Sequence, residues 1–263
     1  MKKLLAGIAA ATATLALAPA GSHAQSSATI MLLHGIPGAT VDVAVDGAVV
    51  IEGFEPGDMQ DLSSFAGQTL TDLEVRAAGT TDVVIGPVAS FDVPASGNWT
   101  VVAHLDADGT PTLTPFENNV DPLAAGQGRL TVRHTAAAPA VDIVLGDARP
   151  FTGVANGTGG DADLAAGQIA GAQVAPAGGD PIADVPTVTL AAGSNLVVYA
   201  VGSLEDSTFT FFTQTIQVGA AAPTAVNTGD AVGDGSSVAL LAAVAAGFAL
   251  LAGGGALALR RSR

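Results

Sequence analysis

Thr29-Ile30-Met31-Leu32-Leu33-His34, Val41-Asp42-Val43-Ala44-Val45 and Ala48-Val49-Val50-Ile51-Glu52-Gly53-Phe54, the last two separated only by Asp46-Gly47, decide how this chain folds. Each run is short, rich in β-branched residues and bounded by turn-forming residues, which is the pattern of a strand. Asp-Gly between two apolar runs predicts a tight hairpin, because both turn positions tolerate positive φ. Working outward, residues 70–77, 88–93, 99–105 and 112–116 read as further strands, with Asp106-Ala107-Asp108-Gly109 joining the last two. Nothing between residues 29 and 218 sustains a helical period, so the prediction is all-β.

The plan then repeats. His134 through Asp142 answers His34 through Asp42 at an offset of 100, and Val141-Asp142-Ile143 matches Val41-Asp42-Val43. Further on, Gly97-Asn98-Trp99-Thr100-Val101-Val102 aligns with Gly193-Ser194-Asn195-Leu196-Val197-Val198 at an offset of 96, which sets Ala200 against His104. Two such long units are too few for a solenoid and suit tandem β-sandwich domains, 25–117 and 129–218, around a linker at 118–128. Residues 153–179, rich in Gly and Ala, read as a loop-rich, mobile excursion. Strand alternation turns Leu130, Val132 and His134 inward, and likewise Val141, Ile143 and Leu145, leaving Asp142 outward. Around Phe209, Phe211, Phe212, Ile216 and Val218 the apolar parity changes, which predicts a β-bulge near Phe211-Phe212. Trp99 and these phenylalanines are the expected core anchors.

The segment from His34 through Pro37 to Val41-Asp42-Val43, followed by Asp46-Gly47, resembles the signature of the bacterial family called domain of unknown function 4397. The second copy, Arg133-His134 to Pro139 and Val141-Asp142-Ile143, is similar, with its proline two places later. The resemblance spans essentially all of residues 29–218. It implies secreted or surface-attached proteins with Ig-like or transthyretin-like sandwiches, and it supplies no catalytic residues.

The two ends address the membrane. Lys2 and Lys3, an apolar run and Ser22-His23-Ala24 describe a signal peptide, 1–24, cut between Ala24 and Gln25; an uncleaved anchor is the alternative. Residues 238–259 carry no charge and precede Arg260-Arg261-Ser262-Arg263. As a helix they span roughly 33 Å, enough for a bilayer core, with the tail at 260–263 cytoplasmic. The reading is a single-pass protein at the cell surface with its body outside. Within the Gly/Ala/Thr-rich stalk at 219–237, Thr228-Gly229 resembles a degenerate sortase site; a chance occurrence in a low-complexity stalk is the competing reading.

Composition narrows the chemistry. There is no cysteine, so disulfides, thiol catalysis and cysteine-held metals are excluded. All 24 acidic residues but only four of the nine basic ones fall between Gln25 and Ser237, a segment of net charge −20. A phosphate-tracking nucleic-acid surface is excluded, and adhesion to an anionic polymer by charge alone is disfavoured. His34 and His134 read either as ligand or pH-sensing groups, or as strand-end histidines whose nitrogens bond backbone in the adjoining turn. Asp106 and Asp108, with Gly109, resemble the start of a calcium loop but lack a closing glutamate; a hairpin turn explains them equally. Asp161 and Asp163 are weaker still. No nucleophile elbow, phosphate loop or dinucleotide fingerprint occurs. The chain therefore reads as a non-enzymatic surface module without cofactor, whose partner is wall polymer or another surface protein. A calcium- or ligand-dependent adhesion module and an unrecognised hydrolase are the alternatives.

Overall fold

The computed structural model describes residues 28–218. The expected leader, stalk, apolar segment and basic tail, with Ala24, Gln25, Thr228 and Gly229, lie outside the described residues. No helix among those described is long and apolar enough to cross a membrane.

The fold is all-β. The first repeat contains β1 (Thr29–His34), β2 (Val41–Val45), β3 (Ala48–Phe54), β4 (Met59–Asp61), β5 (Thr69–Ala77), β6 (Val83–Asp92), β7 (Asn98–Leu105) and β8 (Pro111–Glu117). A single 3-10 turn, Ser63–Phe65, follows β4. The second contains β9 (Gln127–Ala137), β10 (Val141–Leu145), β11 (Ala148–Val154), β12 (Thr158–Ala165), β13 (Gly167–Ile169), β14 (Ala172–Pro176), β15 (Ala183–Asp184), β16 (Val188–Leu190), β17 (Ser194–Ser203) and β18 (Thr210–Gln217). The Asp46-Gly47 hairpin forms as expected, with φ of 50° and 78° at its two turn residues.

Each repeat folds as two facing four-stranded sheets. They are β4-β1-β7-β8 against β3-β2-β5-β6, and β12-β9-β17-β18 against β11-β10-β14-β15, with β13-β16 as an added ribbon. In both, the first strand runs parallel to a late one, β1 with β7 and β9 with β17. Ile30, Leu32, Val43, Val75 and Val101 meet inside the first repeat; Leu130, Val132, Val141, Val174 and Val198 meet inside the second. A third core lies between the repeats, where Leu33 and Val102 meet Val197, Tyr199, Val201 and Ile216. Residues 28–218 are thus stacked four sheets deep, and the central strands β9 and β17 are covered on both faces. Every residue of β17 is buried as a result.

That third core corrects several expectations. The β17–β18 register runs unbroken from Ser194↔Gln217 to Val201↔Thr210, so there is no bulge at Phe211-Phe212. Phe209 and Phe211 pack against the core inside the second repeat while Phe212 and Ile216 pack between repeats, so the parity changes because the strand passes from one core to the other, with Thr213, Thr215 and Gln217 exposed. Residues 118–128 are not a free linker, since Leu123 is buried in the same core. Pairing also resets the internal alignment: His34 stands beside Ala103 and His134 beside Ala200, an offset of 97. Trp99 therefore matches Leu196, and the counterpart of His104 is Val201; a one-residue slip would turn every side chain to the wrong face. Finally, residues 153–179 are largely strand. At Gly159 a Cβ would lie 2.5 Å from the Val132 carbonyl oxygen, and glycine there lets β12 lie close along β9.

Because the third core is shared, damage to it should unfold both repeats. Val197→Asp, which buries a charge without a partner, should cost about 3 kcal/mol or more. Urea unfolding followed by Trp99 fluorescence, a first-repeat probe, should shift to lower midpoint although the substitution is in the second repeat. An unchanged Trp99 midpoint would show the repeats to be independent.

Candidate functional site

The duplicated signature builds one small frame per repeat. His34 is fully buried at the end of β1: its Nε2–H donates to the Ala39 carbonyl at 2.6 Å and its Nδ1 accepts the Ile36 N–H at 3.3 Å. His134 does the same with Pro139 at 3.0 Å and Ala136 at 3.4 Å. Both imidazoles are held neutral in one tautomer and close the turn that follows, which is the backbone-bonded reading of the sequence. Burial lowers both pKa values, against smaller opposing contributions from those backbone bonds.

The aspartates of Val-Asp-Val and Val-Asp-Ile are clamps. Asp42 accepts the Gly53 N–H on one oxygen and the Gly79 N–H on the other, both at 2.8 Å. Asp142 accepts Gly153 at 2.7 Å and Gly178 at 2.9 Å, and Arg149 adds a 2.8 Å ion pair. All four glycines have positive φ, the backbone turn that aims these N–H groups at the carboxylate. The turns fold over Asp142 and leave it 3% exposed, so alternation placed it on the right face but not in solvent. These backbone bonds hold both carboxyls below the usual carboxylate range.

The most extensive polar arrangement lies in the seam between the repeats. Arg133, 4% exposed, donates to Tyr199 Oη at 2.8 Å and to Asn118 Oδ1 at 2.7 Å. Tyr199 donates to Gln214 Oε1 at 2.7 Å, and Thr100 donates to the same oxygen at 3.0 Å. Asn118 Nδ2 donates to Thr100 Oγ1 at 3.0 Å, closing a ring of five side chains, two from the first repeat and its exit and three from the second. Among the described residues no carboxylate lies within ion-pair distance of Arg133. Its charge rests instead on these oxygens, on the Glu117 carbonyl, and on the faces of Phe116 and Tyr199 at 4.6 and 5.4 Å. Beside it, Arg129 is paired to Asp163 at 2.7 Å and reaches Asn119, and Asn156 Nδ2 bridges the Leu105 and Ala136 carbonyls across the seam. His104 is also buried here, donating from Nδ1 to Leu105 O and accepting the Thr114 hydroxyl at Nε2, both at 2.8 Å. Sequence reading missed the ring, although two signals pointed to it: Gln214 interrupts an apolar parity set, and Arg133 stands beside the signature histidine.

The calcium candidates fall elsewhere. Asp106 Oδ1 accepts the N–H groups of Asp108 and Thr110 at 2.9 and 2.8 Å, which makes the β7–β8 hairpin turn. Asp161 and Asp163 face Arg129. Among the described residues no three His, Asp or Glu side chains converge as a metal site. Every buried side-chain N or O described has a hydrogen-bond partner.

Acid should act on this frame in two stages. His34, His104 and His134 take up protons more readily unfolded than folded, so their contribution is full above about pH 6.5 and falls as pH drops below it. The slope is roughly 1.4 kcal/mol per pH unit for each histidine that stays neutral. Asp42 and Asp142 contribute fully above about pH 3.9 and lose that contribution as pH falls further. Urea midpoints measured from pH 7.5 to 3 should decline in that order, and a flat profile between pH 7 and 5 would contradict it. Asp142→Asn should lower Tm by more than Asp161→Asn, whose carboxylate is exposed.

Residues 28–144 match the family model described as Domain of unknown function (DUF4397). The match takes in the first repeat, β9 and all but the last residue of β10, and so both histidines and both clamp aspartates. None of the curated proteins matches the chain. The His-turn-Val-Asp frame, present once in each repeat, lies wholly inside that match, so residues 28–144 are similar to the family described as Domain of unknown function (DUF4397).

Proposed function

We propose that this chain is a membrane-anchored cell-surface module that works by presenting a rigid, acidic body to a partner, and not by catalysis. The observation that carries the reading is the seam: two sandwiches, Ig-like or transthyretin-like in kind, share a core and a closed hydrogen-bond ring that leave no hinge between them. Its polar side chains, Arg133, Tyr199 and the histidines included, are engaged in holding the fold. The surface carries the charge, with acids far outnumbering the four arginines of the body. Such a surface favours solubility in cation-rich surroundings and a neutral or basic partner over anionic wall polymer. The calcium-dependent alternative is weakened by Asp106, whose carboxylate already serves its own turn.

Fractionation tests the placement. The mature N-terminus should be Gln25, external protease should reach the body, and deletion of residues 238–259 should release the protein to the medium. Thr228→Ala should leave attachment unchanged if the apolar segment is the anchor; loss of attachment would point to transpeptidation. A pulldown of wall material and secreted proteins with the body should return a saturable partner. Turnover in a hydrolase substrate screen with no partner found would overturn the reading.

A further inference from the structure

An open sheet edge is a template for another strand unless something spoils it, and most edges of this fold are spoiled. β4, β13, β15 and β16 are only two or three residues long. β3, β6 and β11 are broken by register shifts against their neighbours, and the last two also carry Pro87 and Pro150. β12 carries Asp161 and Asp163, and β8 carries Pro111 and Pro115. The edge strand β18 differs: it has eight residues, no proline, no ionisable side chain and an unbroken register with β17.

β8 and β18 are the same edge in the two repeats. Asn118 donates its N–H to the Asn98 carbonyl, and Val218 donates to that of Gly193. Antiparallel alternation then points the backbone groups of even-numbered residues at the neighbouring strand and those of odd-numbered residues outward. In β8 the outward positions are Pro111, Leu113, Pro115 and Glu117, so two N–H donors are missing and a carboxylate stands at the end. Phe116 pairs with Thr100 as Gln214 pairs with Val197, so Thr213 and Thr215 take the places of Pro115 and Glu117. Phe211, Thr213, Thr215 and Gln217 therefore direct their N–H and C=O groups to the open side of β18. Among the described residues none of those groups has a hydrogen-bond partner.

We propose that β18 is a self-association edge, to which a second copy of this chain adds its own β18 in antiparallel register. The strand is complementary to itself. Paired about Gln214, Phe212 lies opposite Ile216 of the second copy and Thr213 opposite its Thr215. Apolar meets apolar on one face and threonine meets threonine on the other, both favourable cross-strand pairs. Charge selects the same edge, because two bodies of net charge −20 repel and β18 is an uncharged place for them to meet.

The test is sedimentation velocity of the full chain in detergent micelles and of residues 25–222, which contain all three cores and end with the compact unit. One pair of strands makes a small interface, so a reversible dimer is expected between about 10 μM and 1 mM. It should be tighter at about 1 M salt than at about 0.1 M, since salt screens the repulsion. Amide exchange at Phe211, Thr213, Thr215 and Gln217 should slow as protein concentration rises, and that at Leu113 should not. Thr213→Pro removes an outward N–H and leaves the β17 ladder whole, and Thr215→Glu restores the charge of the β8 edge. Each should weaken the dimer about tenfold or more with an unchanged Trp99 unfolding midpoint. A monomer at every concentration, or a dimer that both variants leave intact, would overturn the proposal. So would slow exchange at these amides that is independent of concentration in the full chain and lost in residues 25–222, which would give the edge to residues 223–237.

Discussion

The closed ring Arg133–Tyr199–Gln214–Thr100–Asn118 is the constraint on which the rest of the structure depends. A buried guanidinium without a carboxylate is costly unless every donor has an oxygen and the medium is polarizable. Those oxygens come from both repeats, so the cost is met only when the repeats are docked. Removing any one member leaves another buried polar group without a partner, which costs more than the net worth of the bond itself. The ring therefore sets geometry: it admits one docking of the sheets, and the apolar contacts around it supply the bulk of the attraction.

The two repeats share a frame and differ where they meet. Asp42 and Asp142 clamp the same pair of turns, and His34 and His134 close the same loop. By the strand register, however, Arg133 and Tyr199 occupy the places held by Leu33 and Val102 in the first repeat. The buried cation thus comes from the second repeat alone, while the first supplies Thr100 and Asn118 as its hydrogen-bonding partners in the ring. Two second-repeat faces would leave Arg133 without Asn118, and two first-repeat faces would leave Thr100 without Gln214. Duplication followed by divergence on one face gives a pairing that prefers unlike repeats, a form of specificity built from exclusion as much as from attraction.

Much of the fold was legible because alternation, Asp-Gly turns and the duplicated signature are local signals. The first repeat's strands and the Val-Asp-Val match needed nothing beyond neighbours in sequence. The errors arose where a distant surface decided the outcome. Two apolar parities in β18 looked like a bulge because a sheet was assumed to have one dry face. Gly159 and Gly160 looked like loop because the closeness of β9 and Phe151 is not written beside them. Arg133 carries no local signal of its burial, because Asn118, Tyr199 and Phe116, which surround it, come from other parts of the chain. Asp142 was placed on the right face, but the Gly153 and Gly178 turns that cover it come from far along the chain.

The central claim is that the repeats form one body through the seam. Differential scanning calorimetry of residues 25–222 tests it most directly, by comparing the calorimetric with the van't Hoff enthalpy. The account predicts one endotherm with the two enthalpies equal, and the same single endotherm at lower temperature for Tyr199→Phe. Two endotherms in the unsubstituted protein, each with the enthalpy of about half the chain, would contradict it.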